Sequence, residues 1–221
     1  MTSFVRSVIT LIVLVCVFTP VPVQTSHAQN NAAPPAAADS PREHLRSLFD
    51  EEWQYTLRTN PEWATALGDP RYNDRLSDNS PQFFQSDLEQ GRKFLARFEA
   101  IDPATLPPQD ALSRQLMIRA LRQQIEGSQF KNWEMPVNQM DGPHLDLPDL
   151  VVLTPFNTVA DYRNYVARLN QVPRLFGQVM ANMRQGMLDG LMPPRYLLEK
   201  VAAEAADIAA KPGESLSLIH I

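Results

Sequence analysis

Cysteine is almost missing from this chain: Cys16 is the only one in 221 residues. It lies in an apolar leading segment, so the rest of the chain must fold by packing alone, without disulfides or thiolate chemistry. Val15, just before it, is larger than the small residue a lipoprotein signal carries, which argues against lipidation. Histidine is scarce as well, at four. No His-Glu-x-x-His pattern puts two imidazoles on one helical turn, and neither a phosphate-cradling glycine loop nor a nucleophile elbow occurs. Positive charge is in deficit, with 20 Lys and Arg against 25 Asp and Glu. A chain of net charge −5 without a basic cluster lacks the footprint that binds phosphates, so nucleic acid is excluded as the expected partner.

What is present begins with a secretory pattern. One basic residue, Arg6, precedes the apolar run 8–18, then Pro20 and Pro22, then Ser26-His27-Ala28 with small residues at alternate positions. That order predicts a signal peptide over residues 1–28, cleaved between Ala28 and Gln29, and export to the periplasm or the cell exterior. The run is shorter than the about 20 residues a membrane helix needs, so no retained anchor is expected. Residues 29–39 read QNNAAPPAAAD; without large apolar side chains they predict a disordered spacer. At the other end, residues 216–221 spell LSLIHI, which matches the translation of a sequencing-library adapter and places the end of native sequence near Ser215. The alternative is a natural tail with that spelling.

Between these ends the apolar spacing is helical. Ser40-Pro41-Arg42-Glu43 carries an N-cap hydroxyl, a first-turn proline and a glutamate three residues on, which together start a helix over 41–57 with Leu45, Leu48, Phe49, Trp53 and Leu57 on one face. Asn60-Pro61-Glu62 restarts a shorter helix that Gly68 ends. Ser80-Pro81 opens a long one whose stripe is Phe84, Leu88, Leu95, Phe98 and Ile101, and Pro108 opens another with Leu112, Leu116, Ala120, Leu121 and Ile125. A helix from Thr158 carries Tyr162, Val166, Leu169, Leu175, Val179 and Met183, and Pro173 kinks or divides it. Leu197, Leu198, Val201, Ala205 and Ile208 predict a last amphipathic helix. The expected fold is therefore all-α, an antiparallel, bundle-like array of helices. Residues 128–157 interrupt it with Pro136, Pro143, Pro148 and Pro155 and predict one long, mostly extended irregular loop, either functional or simply wrapping an apolar seam.

Candidate chemistry is thin. His27 falls in the leader, His220 in the tail, and His44 in the first turn of the first helix, where adjacent Glu43 does not share its face. His144, in Gly142-Pro143-His144-Leu145-Asp146, is the one histidine placed for a ligand contact, yet one imidazole and one carboxylate do not make a metal site. Met180, Met183 and Met187, and the aromatics Tyr162, Tyr165 and Trp133, read as core before they read as a groove.

The ordered segments Asn60-Pro61-Glu62-Trp63-Ala64-Thr65-Ala66-Leu67-Gly68-Asp69, Arg71-Tyr72, Ser80-Pro81 and Ile101-Asp102-Pro103 resemble the N-terminal part of the bacterial family called domain of unknown function 885. Asn138-Gln139, Gly142-Pro143, Tyr162 with Tyr165, Arg168-Leu169, Gly190-Leu191 and Pro193-Pro194-Arg195 continue the likeness in order and spacing across residues 41–210. The resemblance implies a larger helical fold similar to exported zinc metallopeptidases, with an H-E-x-x-P-G-H motif on a later helix. No residue of that motif occurs here, so the resemblance implies no catalytic, cofactor or metal residue in this chain. By the same resemblance, zinc is expected in a longer parent, with residues 40–215 as its non-catalytic N-terminal part. The implied partners are the catalytic portion and the parent's peptide substrate. Gln139, His144 and Arg195 are then candidates for a substrate-cleft wall, arginine because its fork pairs a terminal carboxylate. A free-standing exported helical module that binds or scaffolds without catalysis remains the other reading.

Overall fold

Proline sets where the helices of this chain begin. The computed structural model describes residues 40–210, and among them it holds eight α-helices. These are α1 (Pro41–Thr59), α2 (Pro61–Ala66), α3 (Pro81–Glu99), α4 (Pro108–Gly127), α5 (Pro143–Leu153), α6 (Val159–Leu169), α7 (Val172–Asp189) and α8 (Arg195–Ala210). Five of them start on proline, whose fixed φ suits the first helical position and whose missing N–H would have no partner there. The expected capping box closes the start of α1: Ser40 Oγ accepts from the Glu43 N–H at 3.3 Å and the Glu43 carboxylate accepts from the Ser40 N–H at 2.9 Å. Among the described residues there is no strand, only an isolated bridge between Asn138 and Asp141, and the fold is all-α. The signal cleavage at Ala28 and Gln29, the spacer 29–39 and the tail 216–221 lie outside the described residues.

Helices α1, α3 and α4 pack antiparallel in sequence order around the larger core. The cross-links fix that sense: Arg97 clasps Glu51 with two bonds of 2.6 Å, Tyr55 donates to Asp87 at 2.8 Å, and Gln124 reaches Asp87 from the far end of α4. Leu45, Leu48, Phe94, Phe98, Ile101, Ile118 and Leu121 are buried between them. The α4 stripe differs from expectation. Leu112 and Leu116 are 48% and 56% exposed, because α4 carries two apolar stripes on roughly opposite sides and the core takes the one with Ile118 and Leu121.

Residues 128–157 are far more helical than their prolines suggest. Two 3-10 turns, Ser128–Phe130 and Asn132–Glu134, lead to the turn at Asn138 and Asp141, and α5 follows. Pro143 is not a breaker here, because it occupies the first turn of α5. Pro148, inside the helix, removes one backbone bond. The helix persists because Leu147 and Leu150 pack on Leu175 and Val179 of α7 in the second core, which Leu76, Val137, Leu198 and Val201 complete. Pro173 divides the expected long helix into α6 and α7, as one of its two foreseen effects.

Residues 74–79 have no helix of their own, so their peptide groups need outside partners. Polar side chains at helical spacing on α7 supply them. Gln171 donates to Asp74 O at 2.7 Å and accepts from Leu76 N–H; Gln178 accepts from Asn79 N–H at 3.0 Å; Asn182 donates to Asn79 O at 2.7 Å. The segment is thereby held along α7, in front of the start of α3.

Candidate functional site

An open cleft of about 720 Å³ forms where α2, residues 77–79, the start of α3, α5 and α7 meet. Its floor is apolar, built from Leu147, Leu150 and Leu153 of α5 with Leu175 and Val179 of α7. Two indoles stand in its walls. Trp63, 45% exposed, lies edge-on to Trp53 at 5.3 Å, and Trp133 stacks on Phe84 at 5.6 Å and 20°. The ionisable groups lining it are all acidic: Glu62, Asp141, Asp146 and Asp149. Ser77 orients Glu62, donating from its N–H at 2.9 Å and its hydroxyl at 2.5 Å. The three aspartate side chains pair with no cation among the described residues. Burial pushes the Asp146 carboxyl above its usual range and the neighbouring Asp141 raises it further, with Asp149 and Glu62 adding to the effect against His144.

One buried cation braces the α2 wall from behind. Arg168 of α6 is fully buried. It donates from Nε to Arg75 O at 2.7 Å, and from one Nη to Tyr72 O at 2.9 Å and to the Thr65 hydroxyl at 2.7 Å. That hydroxyl has one proton to give, to Asn73 Oδ1 at 2.7 Å or Pro61 O at 3.0 Å. Burial lowers the guanidinium's pKa while Glu62 and Asp74 act to hold its charge.

The residues singled out from sequence occupy other places. His144 is buried, its Nε2 is 3.3 Å from Glu204 Oε2 of α8, and its Nδ1 has no partner among the described residues. Gln139 is half-buried, and its amide oxygen has no partner among the described residues. The Arg195 side chain is 91% exposed and pairs with Glu199 one turn on. None of the three lines the cleft. His44 is exposed. Met180 and Met187 are also exposed, at 47% and 61%, and not core as their spacing suggested; only Met183 packs inward. Of the aromatics, Trp133 lines the cleft, while Tyr162 and Tyr165 pack on Phe156 at 4.9 and 5.1 Å. Among the described residues no group of three or more His, Cys, Asp or Glu side chains is arranged to hold a metal ion. The His144 and Glu204 pair supplies one imidazole and one carboxylate, which does not fit zinc.

The helical array with an acidic, aromatic-walled cleft is the class of structure these residues define. By sequence, the chain belongs to the family described as bacterial protein of unknown function (DUF885), whose model matches residues 61–219. No curated protein matches it. The four carboxylates of the cleft were not picked out from sequence, because Glu62 lies about 80 residues from the others and only the fold brings α2 against α5.

Proposed function

We propose that this chain is the N-terminal, non-catalytic helical segment of an exported, zinc-dependent peptidase-like protein, and that it supports a catalytic portion by packing against it. The observation that carries this reading, beside family membership, is an apolar face on α6. Val159, Tyr162, Val166 and Leu169 recur at spacings of three and four and are 68%, 51%, 55% and 43% exposed. A stripe at helical spacing is normally buried against another element, and one left in solvent marks an interaction surface. Arg168, on the opposite side of the same helix, is fully buried, so α6 is anchored on one side and offers the other. Zinc enters only with residues beyond those described, since His144 and Glu204 do not fit it.

Sedimentation velocity and dye binding on the purified chain test the proposal. A segment that lacks its packing partner self-associates and binds an apolar dye strongly, and Tyr162→Ser with Val166→Ser relieves both. The alternative, a free-standing helical binding module, predicts a monomer or a defined oligomer with weak dye binding that the two substitutions leave unchanged.

A further inference from the structure

We propose that the cleft between α2, α5 and α7 binds an amphipathic cation, an ammonium or guanidinium head on an apolar body, as in a short peptide containing lysine or arginine. This goes beyond the packing role proposed above and stands without it, because described residues alone form the cleft. Its volume, about 720 Å³, falls in the range of about 300–1,000 Å³ typical of small-ligand sites. The floor of Leu147, Leu150 and Val179 takes an apolar body. Trp63 and Trp133 line the cleft, and indole is the ring type that best attracts a cation. The rim then decides the sign of the ligand. Asp141, Asp146 and Asp149 face the same space without a paired cation among the described residues, and Arg168, whose charge Glu62 helps to hold, is committed through Nε and one Nη to backbone carbonyls and Thr65. The Asp146 carboxyl is raised by burial first and then by Asp141, with Asp149 and Glu62 adding to it, and the part due to these neighbouring carboxylates falls when a positive head enters. An anionic ligand meets four carboxylates and no lining Lys, Arg or His.

The test is titration of the full chain with acetyl-Leu-Lys-Leu-amide, read by tryptophan fluorescence, beside the same peptide with norleucine or glutamate in the centre and beside free hexylamine. The lysine peptide saturates a change in emission and binds at least tenfold more tightly than the norleucine peptide, and the glutamate peptide does not bind. Hexylamine binding as tightly as the lysine peptide identifies a small-amine site of the same chemistry; weaker binding identifies a peptide site. Each exposed carboxylate contributes up to about fivefold, so Asp146→Asn with Asp149→Asn weakens the lysine peptide roughly tenfold. Trp133→Leu, checked for an unchanged circular dichroism spectrum, removes most of the emission change. Equal binding of the lysine, norleucine and glutamate peptides overturns the inference, as does no binding of any, or unchanged affinity in the double Asn variant with native circular dichroism.

Discussion

Replacing Arg168 tests whether α6 and the α2 wall of the cleft stand as one unit. In Arg168→Met the apolar stem is kept while three acceptors within 2.9 Å lose a charged donor, Arg75 O, Tyr72 O and the Thr65 hydroxyl, and Pro61 O loses one at 3.4 Å. A hydrogen bond to a charged group contributes about 1.5–3 kcal/mol. The three do not add in full, because water reaches some of the vacated acceptors. Leaving buried acceptors unpartnered costs about 1–3 kcal/mol each, offset in part because the guanidinium's own burial penalty goes with it, so a net loss of about 2–4 kcal/mol is expected, a large part of the about 5–15 kcal/mol that stabilises an ordinary domain. Arg168→Lys retains the charge, but a single ammonium cannot reproduce a fork that serves carbonyls from both Nε and Nη, and about 1–3 kcal/mol should be lost. Urea unfolding followed by far-ultraviolet circular dichroism measures both, with the slope against denaturant required to stay constant. A loss under about 1 kcal/mol for Arg168→Met would show that Arg168 is not the brace its bonds describe.

Three further outcomes follow from the same geometry. Gly186→Ala places a methyl group 2.5 Å from Glu134 O and 2.7 Å from Leu191 O; both are backbone atoms that cannot step aside, so thermal or urea unfolding should show a loss of about 1–3 kcal/mol. The Asp146 carboxyl has its folded value raised, by burial first and Asp141 second, so its relative contribution is present below the unfolded value and lost as pH rises through the folded one. Asp146→Asn should therefore be more stable than the parent at pH 7, and the difference should vanish near about pH 3, below the ordinary aspartate value of about 3.9; unfolding at both values checks it. Val166→Ser, at a position largely in solvent, should change unfolding free energy by no more than about 0.5 kcal/mol, and adding Tyr162→Ser, which loses the ring pair with Phe156, should cost a further about 0.5–1.5 kcal/mol, while the pair reduces self-association.

The helix boundaries were legible because caps and prolines act locally. Ser40-Pro41-Arg42-Glu43 and Ser80-Pro81 each begin a helix where their side chains satisfy its first N–H groups. Which face of a helix is buried was less legible, since it depends on the partner. On α4 the helical period read from sequence followed Leu112 and Leu116 and passed over Ile118, and only packing against α3 selects the side with Ile118 and Leu121. Helix α5 was hidden by Pro143 and Pro148: a first-turn proline looks the same in sequence as one that breaks a helix, and what holds α5 together is burial of Leu150 against α7. The acidic cleft was illegible for a related reason. Glu62, Asp141, Asp146 and Asp149 are ordinary surface residues along the chain and become a site only through tertiary contact. His144 drew attention as a lone histidine in a turn, yet its partner Glu204 is 60 residues away.

The most direct measurement is to read the source gene past codon 215 with a library chemistry that adds no transposon-end adapter. If the chain is the N-terminal segment of a peptidase-like protein, the frame continues beyond Ser215 and reaches a helix carrying H-E-x-x-P-G-H. A stop codon directly after Ile221 contradicts that, and makes the free-standing helical binding module the better description.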